Sequence, residues 1–139
     1  MSRNIVITGA AGALGTAVVG KFKREGYYVI ALVRPEANEQ ALEADVTYEV
    51  DVTDEAAVQE FVSEYESHFG DLEAIAMLVG GYASSDLLTT RQQDLTQQIQ
   101  LNFFSTFTVA TAFLPLNIAP RLHITANVTQ VWANSLTAV

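Results

Sequence analysis

The chain has 139 residues, half of them hydrophobic, with 17% charged residues, a net charge of −9 and no cysteine. That size and composition predict one globular domain with a single core and exclude a disordered chain; the acidic balance disfavours nucleic-acid binding, and the lack of cysteine excludes a disulfide framework or a thiolate zinc site. No apolar run reaches membrane-spanning length and no charged-then-apolar leader pattern opens the chain, so the expectation is a soluble, cytoplasmic protein that uses neither membrane nor metal.

Asn4-Ile5-Val6-Ile7 reads as a buried strand, followed by the turn Thr8-Gly9-Ala10-Ala11-Gly12-Ala13-Leu14-Gly15. A helix is predicted over 13–25, with Leu14, Val18, Val19 and Phe22 at helical spacing and Gly26 as its stop. Residues 27–33 form a continuous apolar run that suits a strand buried on both faces. A short polar connection over 35–44 is expected to be helical, and 47–51 reads as a third strand. The clearest amphipathic helix spans 54–69, with Val58, Phe61, Val62, Tyr65 and Phe69 on one face and Thr53 placed to cap it. Residues 74–79 are a further apolar strand ending in Gly80-Gly81. A long helix is expected over about 95–114, its stripe formed by Ile99, Phe103, Phe107, Ala110 and Leu114, with Pro115 closing it.

Strands alternating with helices imply βαβ units and a parallel sheet. The last part differs. Every Asp and Glu lies at or before Asp94, and beyond it the only formal charge is Arg121. Leu122, Ile124, Ala126 and Val128 alternate with His123, Thr125, Asn127 and Thr129, the pattern of a strand with one wet face and hence of an edge. The expected division is 1–116 as the main domain and 117–139 as a divergent tail.

The glycine-rich turn is where chemistry is expected. Between a buried strand and a helix, glycines let the backbone bend and come close to a ligand, while the helix N-terminus points unpaired N–H groups and a positive dipole end at a pyrophosphate. The spacing here is Gly-x-x-Gly-x-x-Gly, with Gly9, Gly12 and Gly15, flanked by Thr8, Ala11 and Leu14. Asp51, with Val52, ends the third strand, where a carboxylate can accept from an adenine amino group or serve the following helix. Gly80 and Gly81 follow the fourth strand and leave room for a ribose. Arg34 ends the second strand, a place where an acid would suit a free ribose 2′-OH and an arginine suits a 2′-phosphate; NADP is therefore favoured, with NAD possible. His68 and His123 stand alone and belong to no metal-ligand cluster.

Together these residues resemble the short-chain dehydrogenase/reductase family from about Asn4 to Leu116. The resemblance rests on Thr8 to Gly15, on Asp51-Val52-Thr53, on Leu78-Val79-Gly80-Gly81 in place of the usual Asn-Asn-Ala-Gly, on Asn102 in Leu101-Asn102-Phe103, and on Phe113-Leu114-Pro115. It implies an α/β, three-layer, doubly wound Rossmann fold, here truncated after about the fifth strand. It also implies hydride transfer between NADP(H) and a small carbonyl or alcohol. In that mechanism a Tyr acts as acid or base, a Lys four residues on lowers its pKa, a Ser orients the substrate and a helix Asn supports a relay water. Only the Asn has a match, at Asn102. None of Tyr27, Tyr28, Tyr48, Tyr65 and Tyr82 has Lys four residues later, and Tyr82 is a conceivable substitute that reads more simply as a loop aromatic. The expected function is thus an NAD(P)-binding, reductase-like protein. The alternatives are a noncatalytic dinucleotide-binding module or a truncated, inactive reductase fragment, with pairing to a second subunit open at the edge strand.

Overall fold

Strict alternation along two strands decides how this chain is layered. In a strand, successive side chains leave opposite faces, and both faces of β1 (Arg3–Thr8) and β2 (Tyr27–Val33) are apolar. Val6, Ile30 and Leu32 enter one core; Ile5, Ile7, Val29, Ala31 and Val33 enter a second core on the other side. A sheet buried on both faces needs helices on both, and the sequence supplies them between strands. The structure, a computed structural model, describes residues 3–37 and 42–116. Its elements continue with α1 (Ala13–Arg24), β3 (Val46–Glu49), α2 (Glu55–His68), β4 (Leu72–Met77), α3 (Gln92–Ile99), a π-helical turn at Gln100–Phe104, and α4 (Ser105–Phe113).

The four strands form one parallel sheet in the order β3-β2-β1-β4. The order reverses between β1 and β4, which makes the carboxyl end of β1 a topological switch point, where open α/β sheets bind ligands. Val19 of α1 belongs to one core, and α2 and α4 cover the opposite face. This is the expected three-layer Rossmann-like α/β arrangement. The expected fifth strand, the tail over 117–139 with Thr125 and Thr129, and His123 lie outside the described residues.

Three local expectations change. The cap of α2 is Asp54, whose carboxylate accepts from the N–H groups of Ala56 (2.9 Å) and Ala57 (3.3 Å); Thr53 instead donates its hydroxyl (2.6 Å) and its N–H (2.9 Å) to Asp51. Asp54 wins because it stands directly before the first helical residue. The described residues of the 35–44 connection are turn and irregular chain rather than helix, since Pro35 opens a tight turn.

The third change concerns the long helix. Most of its expected apolar stripe does not face the core: Ile99 is 51% exposed, Phe103 53%, Phe107 56% and Leu114 64%, while Ala110 packs against it. The buried face is Asn102, Ser105, Val109, Ala112 and Phe113. Within the stretch after the π turn at Gln100–Phe104, Phe107 and Leu114 lie on one side and Val109, Ala112 and Phe113 on another, and both sets have helical spacing. Because this stretch is uncharged and apolar around much of its circumference, periodicity alone did not reveal which face would turn inward.

Tyr65 closes the core under α2. Its ring meets Phe113 edge-on at 5.9 Å and stacks on Phe69 at 5.2 Å, and its hydroxyl donates to the Gly70 carbonyl at 3.3 Å. Burial pushes its phenol up to about 12 from the usual 10. The neutral form is therefore the one that folding favours. Below about pH 10 that contribution is complete; between about 10 and 12 the unfolded chain releases a proton that the folded chain retains, and stability falls by about 2 kcal/mol. Urea midpoints followed from pH 8 to 12 are expected to drop across this window, and Tyr65→Phe is expected to flatten that drop. An equally steep loss in the phenylalanine variant would assign it to other groups.

Candidate dinucleotide-binding site

The site is built from strand ends. A cleft of about 980 Å³ opens along the carboxyl edge of the sheet, lined from the turn after β1 by Gly9, from β2 by Leu32 and Val33, and from the segments after β3 and β4 by Val50 and Val79. The glycine turn forms one wall. Gly9 has φ of +65°, a left-handed conformation that side chains disfavour, and a Cβ on it would press at 3.0 Å on the Leu78 backbone. The turn closes through Gly12 N–H to Gly9 O (3.1 Å) and is tied to β2 through Ala10 N–H to Leu32 O (3.3 Å). Gly15 lies against the underside: a Cβ there would fall onto the Gly9 carbonyl oxygen and within 2.8 Å of the Ala10 backbone.

Gly12 is also the N-cap of α1. No side chain caps this helix and its first turn holds no acidic residue, whereas Lys21, Lys23 and Arg24 complement its last turn. In a chain of net charge −9, the positive end of α1 carries no carboxylate in its own first turn. This arrangement fits an anion held by backbone N–H groups.

Of the residues singled out in the sequence, the cleft gathers Gly9, Ala11, Gly12, Arg34, Asp51, Val52 and Gly80. It does not gather the rest. Thr8 is buried, and its hydroxyl accepts from the Leu78 N–H at 3.2 Å, joining β1 to the end of β4. Gly15 supports the turn from below. Leu14 points to a separate apolar groove of about 420 Å³, shared with Val18, Phe22, Ala74 and Ala76 on the α1 side of the sheet. Asp51 is exposed, and one of its carboxylate oxygens is occupied by Thr53.

Asn102 is buried in the π turn, and both polar atoms of its amide have backbone partners. Its Oδ1 accepts from the Gly81 N–H (2.9 Å), and its Nδ2 donates to the carbonyls of Gly81 and Gln98 (both 3.0 Å). The side chain thus pairs with both backbone groups of Gly81 as a neighbouring strand would. The adjacent Leu101 covers Gly81 so closely that a Cβ there would sit 2.5 Å from Leu101 Cδ2, and Leu101 lines the cleft. Ser105, also buried, donates its hydroxyl to the Leu101 carbonyl at 2.6 Å, within the stretch where the π turn disturbs the helical ladder. Tyr82 is exposed and does not line the cleft.

Sequence reading missed Leu32, Val33, Pro35, Glu36, Ala37, Val50, Thr53, Leu78, Val79 and Leu101 as cleft residues. For most of them the signal was available, because in a parallel sheet every strand end lies at this edge. Leu101 had no such signal. Among the described residues no group of three or more His, Asp or Glu is placed to hold a metal ion, and no helix is long and apolar enough to cross a membrane.

The comparisons agree with this geometry. The short chain dehydrogenase pattern matches residues 3–124. An L-fucose dehydrogenase of Mus musculus is 32% identical over 116 residues, covering 80% of this chain and 42% of that protein. The ligand-free aldohexose dehydrogenase of Thermoplasma acidophilum superposes with a TM-score of 0.75 at 21% identity, over 83% of this chain and 44% of that one, a likeness of fold. ElxO with NADP bound superposes with a TM-score of 0.72 at 26% identity, over 83% of this chain and 50% of that one. The chain therefore spans about half or less of the length of the relatives it matches. With the pattern covering most of its residues, from the first strand past the long helix, the chain belongs to the short chain dehydrogenase family.

Proposed function

We propose that this chain binds NADP(H) in the cleft and forms the cofactor-holding part of a site for hydride transfer between NADP(H) and a carbonyl or alcohol. The observation that carries the reading is the uncapped N-terminus of α1, which stands behind a glycine turn at the switch point of the sheet. The family match supports an NAD(P)-binding, dehydrogenase-like protein, and the likeness to NADP-bound ElxO supports the choice of ligand. When bound, the nicotinamide supplies the hydride. The chain's own residues bind and orient. The turn at Gly9 to Gly12 receives the pyrophosphate, Arg34 a 2′-phosphate, and Asp51 the adenine amino group through its remaining oxygen. Asn102 is a positioning residue here, because its amide is spent on Gly81 and Gln98. No Tyr-x-x-x-Lys pair occurs in the 139 residues, so general acid catalysis is not provided and the chain alone is a binding module.

Titration with NADPH and NADH, followed by nicotinamide fluorescence and then by turnover on a panel of small carbonyls, tests this. The expected result is saturable binding of NADPH, tighter than NADH, without turnover. Arg34→Ala is expected to weaken NADPH about tenfold while leaving NADH little changed. No binding at millimolar cofactor would overturn the reading, tighter NADH than NADPH would overturn the role of Arg34, and turnover would overturn the binding-module conclusion.

A further inference from the structure

The α1 side of the sheet is closed over β1 and β2 and open over β4. On that side Ile5, Ile7, Val29, Ala31 and Val33 are buried in the core, whereas Ala74 and Ala76 of β4 are only partly buried. On the other side Leu72, Ile75 and Met77 of the same strand are buried in the core shared with α2 and α4. A parallel strand ordinarily has both faces covered. The gap is the groove of about 420 Å³, walled by Leu14, Val18 and Phe22 of α1 and floored by the two alanines, whose small side chains leave depth for a large one. Its charged residues, Arg3 and Glu73, pair with each other (Nε to Oε2 at 2.8 Å, Nη2 to Oε1 at 2.7 Å), so the groove offers no net charge to an occupant.

The course of the chain supplies that occupant. Among the described residues β4 has a strand neighbour on one side only, β1. A right-handed crossover through α3 and α4, with α4 packed on the α2 side, points the following chain at the open edge of β4. Residues 117–139 continue from there, and the alternation over 122–129 suits that edge. The next ten residues, 130–139, carry no charged side chain and include Val131, Leu136 and the single tryptophan, Trp132. Extended, they reach about 33 Å, more than the roughly 20 Å of the six-residue β4.

We propose that residues 130–139 fill this groove, with the Trp132 ring seated against Leu14, Val18, Phe22, Ala74 and Ala76. An uncharged apolar segment meets an apolar groove without net charge, and the indole takes out of water the face of β4 that α1 leaves open. Leu14, 54% exposed at the carboxyl end of the groove, is the nearest wall to a segment that has risen along β4. None of these five groove residues lines the dinucleotide cleft.

Trp132 is itself the probe. In the 139-residue chain, acrylamide quenching of its fluorescence is expected to be severalfold weaker than in the same chain unfolded in urea. Leu14→Arg is expected to raise the quenching toward the unfolded value while the far-ultraviolet circular dichroism is kept. Because the chain has no cysteine, Leu14→Cys combined with Ala133→Cys gives one defined thiol pair, which a short bis-maleimide is expected to join within one chain. Phe107→Cys combined with Ala133→Cys, on the outward face of α4, is the comparison and is expected not to join. Quenching at the unfolded level in the folded chain, or quenching unmoved by Leu14→Arg, would overturn the proposal, as would equal joining of both pairs. Joining of the first pair only between two chains would give the groove to a second copy and overturn it equally.

Discussion

Gly15→Ala is expected to cost the chain about 3 kcal/mol and to remove its cleft. The added Cβ would meet only backbone: the Gly9 carbonyl oxygen, and the Ala10 Cα and carbonyl carbon at 2.8 Å. No rotamer change relieves such a contact, so either α1 moves away from the turn or the turn opens. Gly15 is buried in α1 one turn from Val19, which belongs to the core on that face. Moving the helix therefore uncovers apolar surface as well. Glycine is normally the poorer helix former, and alanine at an open helical site would stabilise. A fall in the urea midpoint thus identifies contact with the turn rather than helix propensity as the controlling effect. Gly20→Ala is the informative comparison. Its Cβ would meet the end of the Arg24 side chain at 3.3 Å, a group that can turn aside, and its midpoint is expected to change little. Equal losses at the two positions would show that the turn is not held by close packing. Dinucleotide titration of Gly15→Ala is expected to show no saturable binding, because the displaced element carries the N–H groups of the site.

Phe113→Ala is expected to cost about 3–5 kcal/mol, a large part of the stability of a domain this size. Phe113 is completely buried near the end of α4. Its ring meets Phe61 at 6.1 Å and Tyr65 at 5.9 Å, so it is the aromatic link between α4 and α2. Thermal or urea unfolding measures the loss directly. Phe107→Ala makes the contrast, since Phe107 is exposed among the described residues and stacks on Phe103; its truncation is expected to change stability by less than about 0.5 kcal/mol. The reverse order would show that the outward stripe, rather than the Phe113 face, is the packed one.

Those two helix positions also mark where sequence reading reached and where it stopped. Phe107 and Phe113 are equally apolar and lie on one uncharged segment. Nothing in their spacing distinguishes core from surface, because both belong to apolar sets with helical spacing within α4. The same limit applies to Asn102. Its identity suggested a functional helix asparagine, and only the three-dimensional approach of Gly81 revealed where each of its amide hydrogen bonds goes. Arg34 was legible as a charge at a strand end. The turn that sets Glu36 beside it was not, because a glutamate at positive φ contradicts local preference.

What the sequence determined by itself was the layered α/β class, the tight glycine turn after the first strand and the family. These follow from local patterns: apolar runs on strands buried on both faces, amphipathic spacing in α2, and small residues where the backbone must turn. What only the tertiary structure decided was which candidate residues share one cleft, which face of the last helix turns inward, and which side chains hold backbone rather than await a ligand. Those outcomes depend on contacts between residues 20 to 70 positions apart, such as Gly81 with Asn102 and Thr8 with Leu78. Distances of that kind are set by how the sheet and helices pack, and no local periodicity encodes them.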